Sequence, residues 1–156
     1  FREGETLLEA GTLLAPRALV AAAAADRATL QVHRRPRLVI IATGDELAEP
    51  GTAAERKGCI AESVSFGVAA LASEAGAQFV RTLRLADELE AMRAAVPAAL
   101  ESADVLVVTG GASVGERDFA KAMFEDAGLE IIFSKVAIKP GKPVWLGRAG
   151  ERLVLG

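Results

Sequence analysis

Two short apolar runs that each end in Thr-Gly constrain the fold of this chain most. The sequence reads LVIIATG at 38–44 and VLVVTG at 105–110. Runs of this length and composition are typical of strands that are buried on both faces of a parallel sheet. Further apolar runs at 78–83, 130–136, 144–146 and 152–155 alternate with stretches of helical period. The pattern predicts repeated strand–helix units, and therefore a three-layer α/β/α sandwich around a mainly parallel sheet.

The covering helices are indicated by capping residues and by apolar spacing. Ser63 is expected to cap the first helix, and Asp87 is expected to open the second. The predicted core face of the first helix consists of Val64, Val68, Leu71 and Ala75. Pro97 falls inside the second helical pattern and predicts a kink or a break near its middle. Asp118 is expected to cap a third helix.

Residues 1–35 differ from the rest of the chain. Glycines separate short apolar pieces, an alanine-rich helical run extends from Pro16 to Asp26, and Leu30–His33 has the character of a short strand. Pro36 disfavours helix in the residue before it, which marks a boundary. We therefore predict two parts, 1–35 and 36–156. Because the chain begins and ends in mid-pattern, we expect a piece of a longer protein, truncated at its carboxyl end.

Charge and composition limit the possible partners. The chain has 18 Lys and Arg against 21 Asp and Glu, a formal charge of −3, so it lacks the positive excess that nucleic-acid binding requires. Its apolar runs are too short to cross a membrane. One cysteine excludes an intrachain disulfide and favours a reducing compartment, so the cytoplasm is the expected location. Any anion-binding site must be local.

Both Thr-Gly turns are expected at the same edge of the sheet, because the carboxyl ends of parallel strands meet there. Asp45, Glu46 and Asp118 would then share one cleft. The glycines of Gly110–Gly115 allow backbone N–H groups to converge on a phosphate, and Ser113 adds a hydroxyl donor. An acid beside a phosphate favours Mg²⁺ binding or catalysis. The alternative is a tight strand-to-helix connection in which Asp118 only caps a helix.

A second polar segment, AIKPGKPVWLG at 137–147, follows the fourth predicted strand. Lys139 and Lys142 flank a Pro-Gly turn whose restricted backbone holds them as a pair. Two ammonium groups held in this way would bind an oxyanion or a phosphate. The alternative is a solvated hairpin turn with charged flanks.

The segments ATGDEL, GGASVGERD and KVAIKPGKP, in this order and spacing, resemble the molybdopterin molybdenumtransferase family, which is related to the E domain of gephyrin. Over residues 37–156 the resemblance implies the family's molybdopterin-binding α/β/α domain. Residues 1–35 resemble a segment of the neighbouring domain, which serves dimerisation or linking. The implied reaction inserts molybdate into adenylylated molybdopterin and releases AMP, aided by a divalent cation such as Mg²⁺. Members of the family act as homodimers.

The resemblance also assigns roles to individual residues. Pterin or phosphate groups would be held by Thr43, Gly44, Glu62, Ser63, Gly110, Gly111, Ser113, Gly115, Pro140, Gly141 and Pro143. The catalytic roles would fall to Asp45, Asp118, Lys139 and Lys142. The divalent cation would be bound by Asp45, Glu46 and Asp118.

The chain departs from the family at one point of the cleft. The family reads Asp-Ser/Thr-Asn where this chain has Glu62, Ser63 and Val64. Loss of the asparagine amide removes a donor and an acceptor, which implies altered substrate contact, weakened activity or a specialised paralogue. Two alternatives therefore stay open. One is a molybdopterin adenylyltransferase, and the other is a non-catalytic molybdopterin-binding or scaffold module of the same fold.

Overall fold

The computed structural model describes residues 2–110 and 119–156. The chain divides into two compact units, Phe1–Arg34 and Arg35–Gly156. In the first unit, helix α1 spans Pro16–Ala24, with the proline at its first position, where the missing N–H costs no hydrogen bond. The strand predicted at Leu30–His33 was wrong, since these residues have no regular structure and no sheet neighbour to pair with. Assignment of the first unit to a neighbouring domain stays a prediction.

The second unit is built on a six-stranded sheet with a separate two-stranded pair. In chain order the strands are β1 (Arg37–Thr43), β2 (Leu47–Ala48), β3 (Ile60–Ala61), β4 (Gln78–Leu85), β5 (Val105–Thr109), β6 (Leu129–Ser134), β7 (Trp145–Ala149) and β8 (Arg152–Leu155). The large sheet has the order β4-β1-β5-β8-β7-β6. Neighbours from β4 to β8 pair in parallel, and β7 is antiparallel to both β8 and β6. The mainly parallel sheet is confirmed.

Helices lie on both faces of this sheet. They are α2 (Val64–Glu74), α3 (Leu89–Ser102) and α4 (Phe119–Ala122). Val39 and Ile41 of β1 belong to a buried cluster that includes Met92 and Val96 of α3. Successive strand residues point to opposite faces, so Ile40 lies on the other face, where α2 contacts β1 and β4. The three-layer α/β/α architecture is therefore confirmed.

The predicted core face of α2 was wrong. Val64 is 57% exposed and Leu71 is 70% exposed, whereas Ser65 is buried. Ser63 makes no side-chain capping bond; Glu62 takes that role and accepts hydrogen bonds from the backbone N–H of Ser65 (2.8 Å) and from its hydroxyl. A buried serine costs little when both of its donors are satisfied, so this pairing allows the face that carries Ser65 to be turned inward.

Helix α3 also differs from its prediction. It begins at Leu89 rather than at Asp87, and no side chain caps it. Pro97 lies inside a continuous helix, so the predicted break was wrong. A proline removes one N–H from the helix ladder, and here the buried face made by Met92, Val96 and Ala99 packs against the sheet on both sides of it, which offsets that loss.

An ion cluster fixes the amino ends of the central strands. The backbone N–H of Arg37, at the start of β1, donates to Asp104 Oδ2 over 2.8 Å. The guanidinium groups of Arg37 and Arg152 lie 3.5 and 3.3 Å from Asp104 Oδ1. One partly buried carboxylate thus joins the starts of β1, β5 and β8, at the edge opposite the candidate site. No helix among the described residues is long and apolar enough to cross a membrane.

Candidate functional site

The carboxyl ends of five strands define one edge of the sheet. β1, β4, β5 and β8 are parallel, and β6 points the same way because both it and β8 are antiparallel to β7. The two Thr-Gly turns, which follow β1 and β5, and the segment after β6 that carries the two lysines therefore all leave the sheet at this carboxyl-end edge. The strand directions therefore place both Thr-Gly turns at one edge of the sheet, as predicted.

The two Thr-Gly turns pack directly against each other. Thr43 is 3% exposed, and its hydroxyl donates to the carbonyl oxygen of Thr109 over 3.4 Å. Gly110 has φ = +91°, and a Cβ there would lie 2.2 Å from the carbonyl oxygen of Thr43. Only a residue without a side chain fits this junction. The glycine that ends the VLVVTG motif is thus required by the approach of β1.

The acids after β1 are organised by local contacts. Asp45 Oδ1 accepts a hydrogen bond from the backbone N–H of Asp87 over 3.0 Å, and the N–H of Gly44 donates to the carbonyl oxygen of Leu85 over 3.2 Å. The carboxylate of Glu46 folds back towards Gly44, since a Cβ on that glycine would lie 2.7 Å from Oε2. Asp45 therefore joins the ends of β1 and β4.

Asp87 is a polar residue of this edge whose only predicted role was to open the second helix. It follows β4 just as Asp45 follows β1, and the parallel pairing of the two strands brings their ends together. The signal was its position four residues after the strand predicted at 78–83. Its use as a helix opener was the more familiar pattern and concealed the alternative.

The described residues do not complete a metal site by themselves. No group of three or more His, Cys, Asp or Glu side chains in 2–110 and 119–156 could hold a metal ion. Asp45 and Glu46 contribute exposed carboxylates, and the third predicted ligand, Asp118, lies outside the described residues. The same holds for Gly111, Ser113 and Gly115. A cation site at this edge would therefore need a ligand from outside 2–110 and 119–156.

The connection between β6 and β7, residues 135–144, is here called the lysine loop. Two backbone hydrogen bonds close it, from Lys135 N–H to the carbonyl oxygen of Val144 (2.8 Å) and from Val136 N–H to that of Lys142 (2.9 Å). The Lys139–Pro140 peptide bond is cis. The residues of its tip are all exposed, namely Lys139, Pro140, Gly141, Lys142 and Pro143. The predicted turn therefore presents both lysines to solvent.

The lysine loop and the Thr-Gly turns stand apart along their common edge. Two strands, β8 and β7, separate β5 from β6, which corresponds to about 14 Å at the usual strand spacing. The end of β8 lies between them, where Gly156 and Trp145 exchange two backbone hydrogen bonds. A ligand that contacts both ends must be elongated.

Glu62 and Ser63 belong to a different neighbourhood. Glu62 is 3% exposed and uses both carboxylate oxygens on Ser65, while Ser63 is exposed. Glu62 also lines a cavity of about 480 Å³ at the open edge of β4, together with Phe66, Phe79, Arg81 and Arg84 among others. None of the residues of the Thr-Gly turns or the lysine loop lines that cavity.

The fold and its polar edge define a class of α/β proteins. In this class, polar side chains at the carboxyl ends of a mainly parallel sheet form the ligand-binding site. Residues 39–155 match the family described as "Probable molybdopterin binding domain". The chain belongs to this family of molybdopterin-binding domains.

Two relatives of the chain carry the same name. It is 37% identical over 155 residues to a molybdopterin molybdenumtransferase of Bacillus subtilis, covering 99% of this chain and 36% of that protein. A protein of the same name from Haemophilus influenzae is 35% identical over 147 residues, covering 94% of this chain and 36% of that protein. The chain therefore spans about a third of the length of these curated relatives.

A solved structure is similar over most of the chain. A molybdopterin biosynthesis MoeA protein of Pyrococcus horikoshii superposes with a TM-score of 0.69 at 27% sequence identity, covering 88% of this chain and 34% of that protein. This likeness supports the fold described above.

Proposed function

We propose that this chain supplies the molybdopterin-binding part of a molybdopterin molybdenumtransferase. The reaction inserts molybdate into adenylylated molybdopterin, releases AMP and yields molybdenum cofactor. The proposal rests above all on the carboxyl-end edge, where glycine turns, exposed acids and a lysine pair occur on one side of the sheet. The shared name of the relatives supports the same reaction.

The glycine turns are proposed to hold the phosphate or pterin groups. Thr43, Gly44 and Gly110 form the described part of this end, and Gly111, Ser113 and Gly115 continue it in the sequence. Backbone N–H groups near glycines can approach an anion closely because no Cβ intervenes. Glu62 and Ser63 are proposed to act through the start of α2 rather than by direct contact, since both carboxylate oxygens of Glu62 already accept hydrogen bonds from Ser65.

The acids are proposed to bind a divalent cation such as Mg²⁺. Asp45 commits one carboxylate oxygen to Asp87, which leaves the other oxygen for a ligand, and Glu46 lies beside it in the sequence. Oxygen ligands of this kind are those that Mg²⁺ prefers. With Asp118 they would supply the charge that offsets a phosphoanhydride. The cation would stabilise negative charge on the leaving AMP.

The lysine pair is proposed to bind the molybdate oxyanion. Lys139 and Lys142 are exposed on a loop whose backbone is held by its own hydrogen bonds, and Pro140, Gly141 and Pro143 restrict the turn between them. Ammonium groups make charge-assisted hydrogen bonds to oxyanions. The distance to the glycine turns fits a substrate that is long enough to reach both ends of the edge.

Calorimetric titrations of the chain with AMP, with molybdate and with both, in the presence and absence of Mg²⁺, test this function. We expect separate binding of each ligand and tighter AMP binding with Mg²⁺. With adenylylated molybdopterin, AMP release should depend on molybdate, and Asp118→Asn should nearly abolish it. Asp126→Asn serves as the matched control. Asp126 is an exposed acid that follows α4 in the sequence, whereas Asp118 precedes it.

The outcomes separate the alternatives. AMP binding without any binding of molybdate would favour an adenylyltransferase, and pterin binding without AMP release would favour a non-catalytic module. Unchanged AMP release in Asp118→Asn would remove the acid from the mechanism. A chain that binds neither AMP nor molybdate would overturn the proposed function.

A homodimer is also proposed, on the basis of an apolar surface around α2. Val64 and Leu71 are 57% and 70% exposed and, seven residues apart, lie on the same face of α2. Exposed apolar side chains that share a face mark interaction surfaces. Val64, which replaces the family's asparagine, adds to this surface.

Sedimentation measurements would test the dimer. Leu71→Asp should raise its dissociation constant by at least about tenfold, because a charge would be buried at the contact. Ile132→Asp, at a 54% exposed position on β6, should leave it unchanged. A monomer at all concentrations, or equal effects of the two substitutions, would contradict this interface.

A further inference from the structure

Lys121 contacts both residues at the base of the lysine loop. It lies on α4, and its Nζ is 3.4 Å from Ser134 Oγ and 5.8 Å from the centre of the Trp145 ring. Ser134 ends β6, Trp145 begins β7, and the two are direct cross-strand partners. The lysine loop leaves the sheet between them. One ammonium group therefore joins α4 to both strands from which the loop emerges.

Trp145 is itself fixed in position. It is 2% exposed, and its backbone exchanges hydrogen bonds of 2.8 and 3.0 Å with Gly156. Its ring lies so close to Gly156 that a Cβ on the glycine would be 2.2 Å from it. The indole cannot shift without displacing the end of β8. It is thus a firm surface for the ammonium group, and tryptophan is the ring to which cations are attracted most strongly.

We propose that Lys121 is a positioning residue for oxyanion binding by the lysine loop. It holds the base of the loop, so that Lys139 and Lys142 keep one spacing and direction before the anion arrives. Lysine side chains lose much rotamer freedom when they are ordered, and a loop that is already held loses less on binding. This inference rests on the proposed function, because it assumes that the lysine pair binds molybdate.

The test is a calorimetric titration with molybdate alone. Lys121→Met should weaken molybdate binding by about tenfold, because a cation–π contact and a hydrogen bond are lost together. Lys121→Arg should restore it to within about threefold, since a guanidinium also stacks on indole and donates to a hydroxyl. AMP affinity should stay within about twofold, a change much smaller than the expected loss of molybdate affinity. Retained AMP binding also verifies that the variant is folded.

Two further variants separate positioning from direct contact with the anion. Ser134→Ala should weaken molybdate binding by about threefold in the unsubstituted chain but should cause no further loss in the Lys121→Met background, because residues that act through one contact are not additive. Arg148→Met removes a positive charge from an exposed position on β7, the strand that Trp145 begins. This substitution should leave molybdate binding unchanged. Trp145 is the single tryptophan, so its fluorescence should change in Lys121→Met without ligand.

The outcomes distinguish this inference from the function on which it rests. Molybdate binding that is equal in Lys121→Met and the unsubstituted chain overturns the positioning role and leaves the proposed function intact. Fully multiplicative effects of Lys121→Met and Ser134→Ala also overturn it, in favour of direct anion contact. Absence of molybdate binding in the unsubstituted chain overturns both.

Discussion

Gly110→Ala is expected to destabilise the second unit by roughly 2–5 kcal/mol, the combined cost of backbone strain and overpacking. A Cβ at this position would lie 2.2 Å from the carbonyl oxygen of Thr43 and 2.8 Å from its hydroxyl. Both atoms belong to a buried residue at the end of the central strand β1, so neither can move away without distorting the sheet. The positive φ of +91° adds strain for any residue with a side chain. Thermal unfolding followed by circular dichroism should show a midpoint lower by about 5–15 °C.

Gly150→Ala is the matched control for this effect. Gly150 also has a positive φ, +57°, but no atom lies within 4 Å of the position that its Cβ would take. This substitution should cost only about 1 kcal/mol, from strain alone. The difference between the two variants measures the contact between the Thr-Gly turns. Equal losses of stability would mean that β1 and β5 do not meet as closely as described, and a weaker AMP affinity in Gly110→Ala would further link that contact to binding.

The strands of the sheet were predictable because their signal is local. β1, β5 and β8 span Arg37–Thr43, Val105–Thr109 and Arg152–Leu155, and each coincides with a predicted apolar run to within one residue. In each of them a run of β-branched and aliphatic residues ends at a glycine, and such runs are typical of the central strands of a parallel sheet. Even the common edge of the two Thr-Gly turns followed from the parallel pairing alone.

The helices were harder to predict because their orientation depends on distant contacts. α2 is apolar on nearly all sides, so its spacing fits several faces, and the burial of Ser65 depends on Glu62 folding over the helix start. The continuity of α3 through Pro97 likewise depends on packing against the sheet. Tertiary contacts of this kind override local propensity, and no local pattern encodes them.

The polar residues of the candidate site also fall into two groups, those marked by the local sequence and those defined by contacts with distant residues. Lys139 and Lys142 stood out because proline and glycine mark their turn in the sequence, and their role in the site stays a prediction. Asp87 and Lys121 were assigned no part in the site, since their roles arise from partners 42 and 13 residues away, Asp45 and Ser134. The roles assigned to the glycines and to Asp118 in 111–118 stay predictions. What the sequence alone missed are the contacts between elements, not the elements.

Replacement of both Lys139 and Lys142 by methionine is expected to weaken molybdate binding by at least about 100-fold. Hydrogen bonds to charged groups contribute roughly 1.5–3 kcal/mol each, and here the two ammonium groups are the proposed donors. Both side chains are exposed, so stability should change by no more than about 0.5 kcal/mol. AMP affinity should remain within about threefold, because the glycine turns are about 14 Å away along the edge, beyond the Debye length of about 8 Å at physiological salt.

A double variant of equal charge decides whether the pair itself binds the anion. Lys57→Met with Arg148→Met also removes two positive charges, both from exposed positions that no proposed ligand contacts. With a formal charge of −3, the chain as a whole repels molybdate, so binding must come from a local arrangement of donors. If the control lost as much affinity as the lysine pair, only the general field of the protein would be at work. A large loss confined to Lys139 and Lys142 means instead that the anion is bound by these two local donors on the loop between β6 and β7, whose arrangement Lys121 is proposed to maintain.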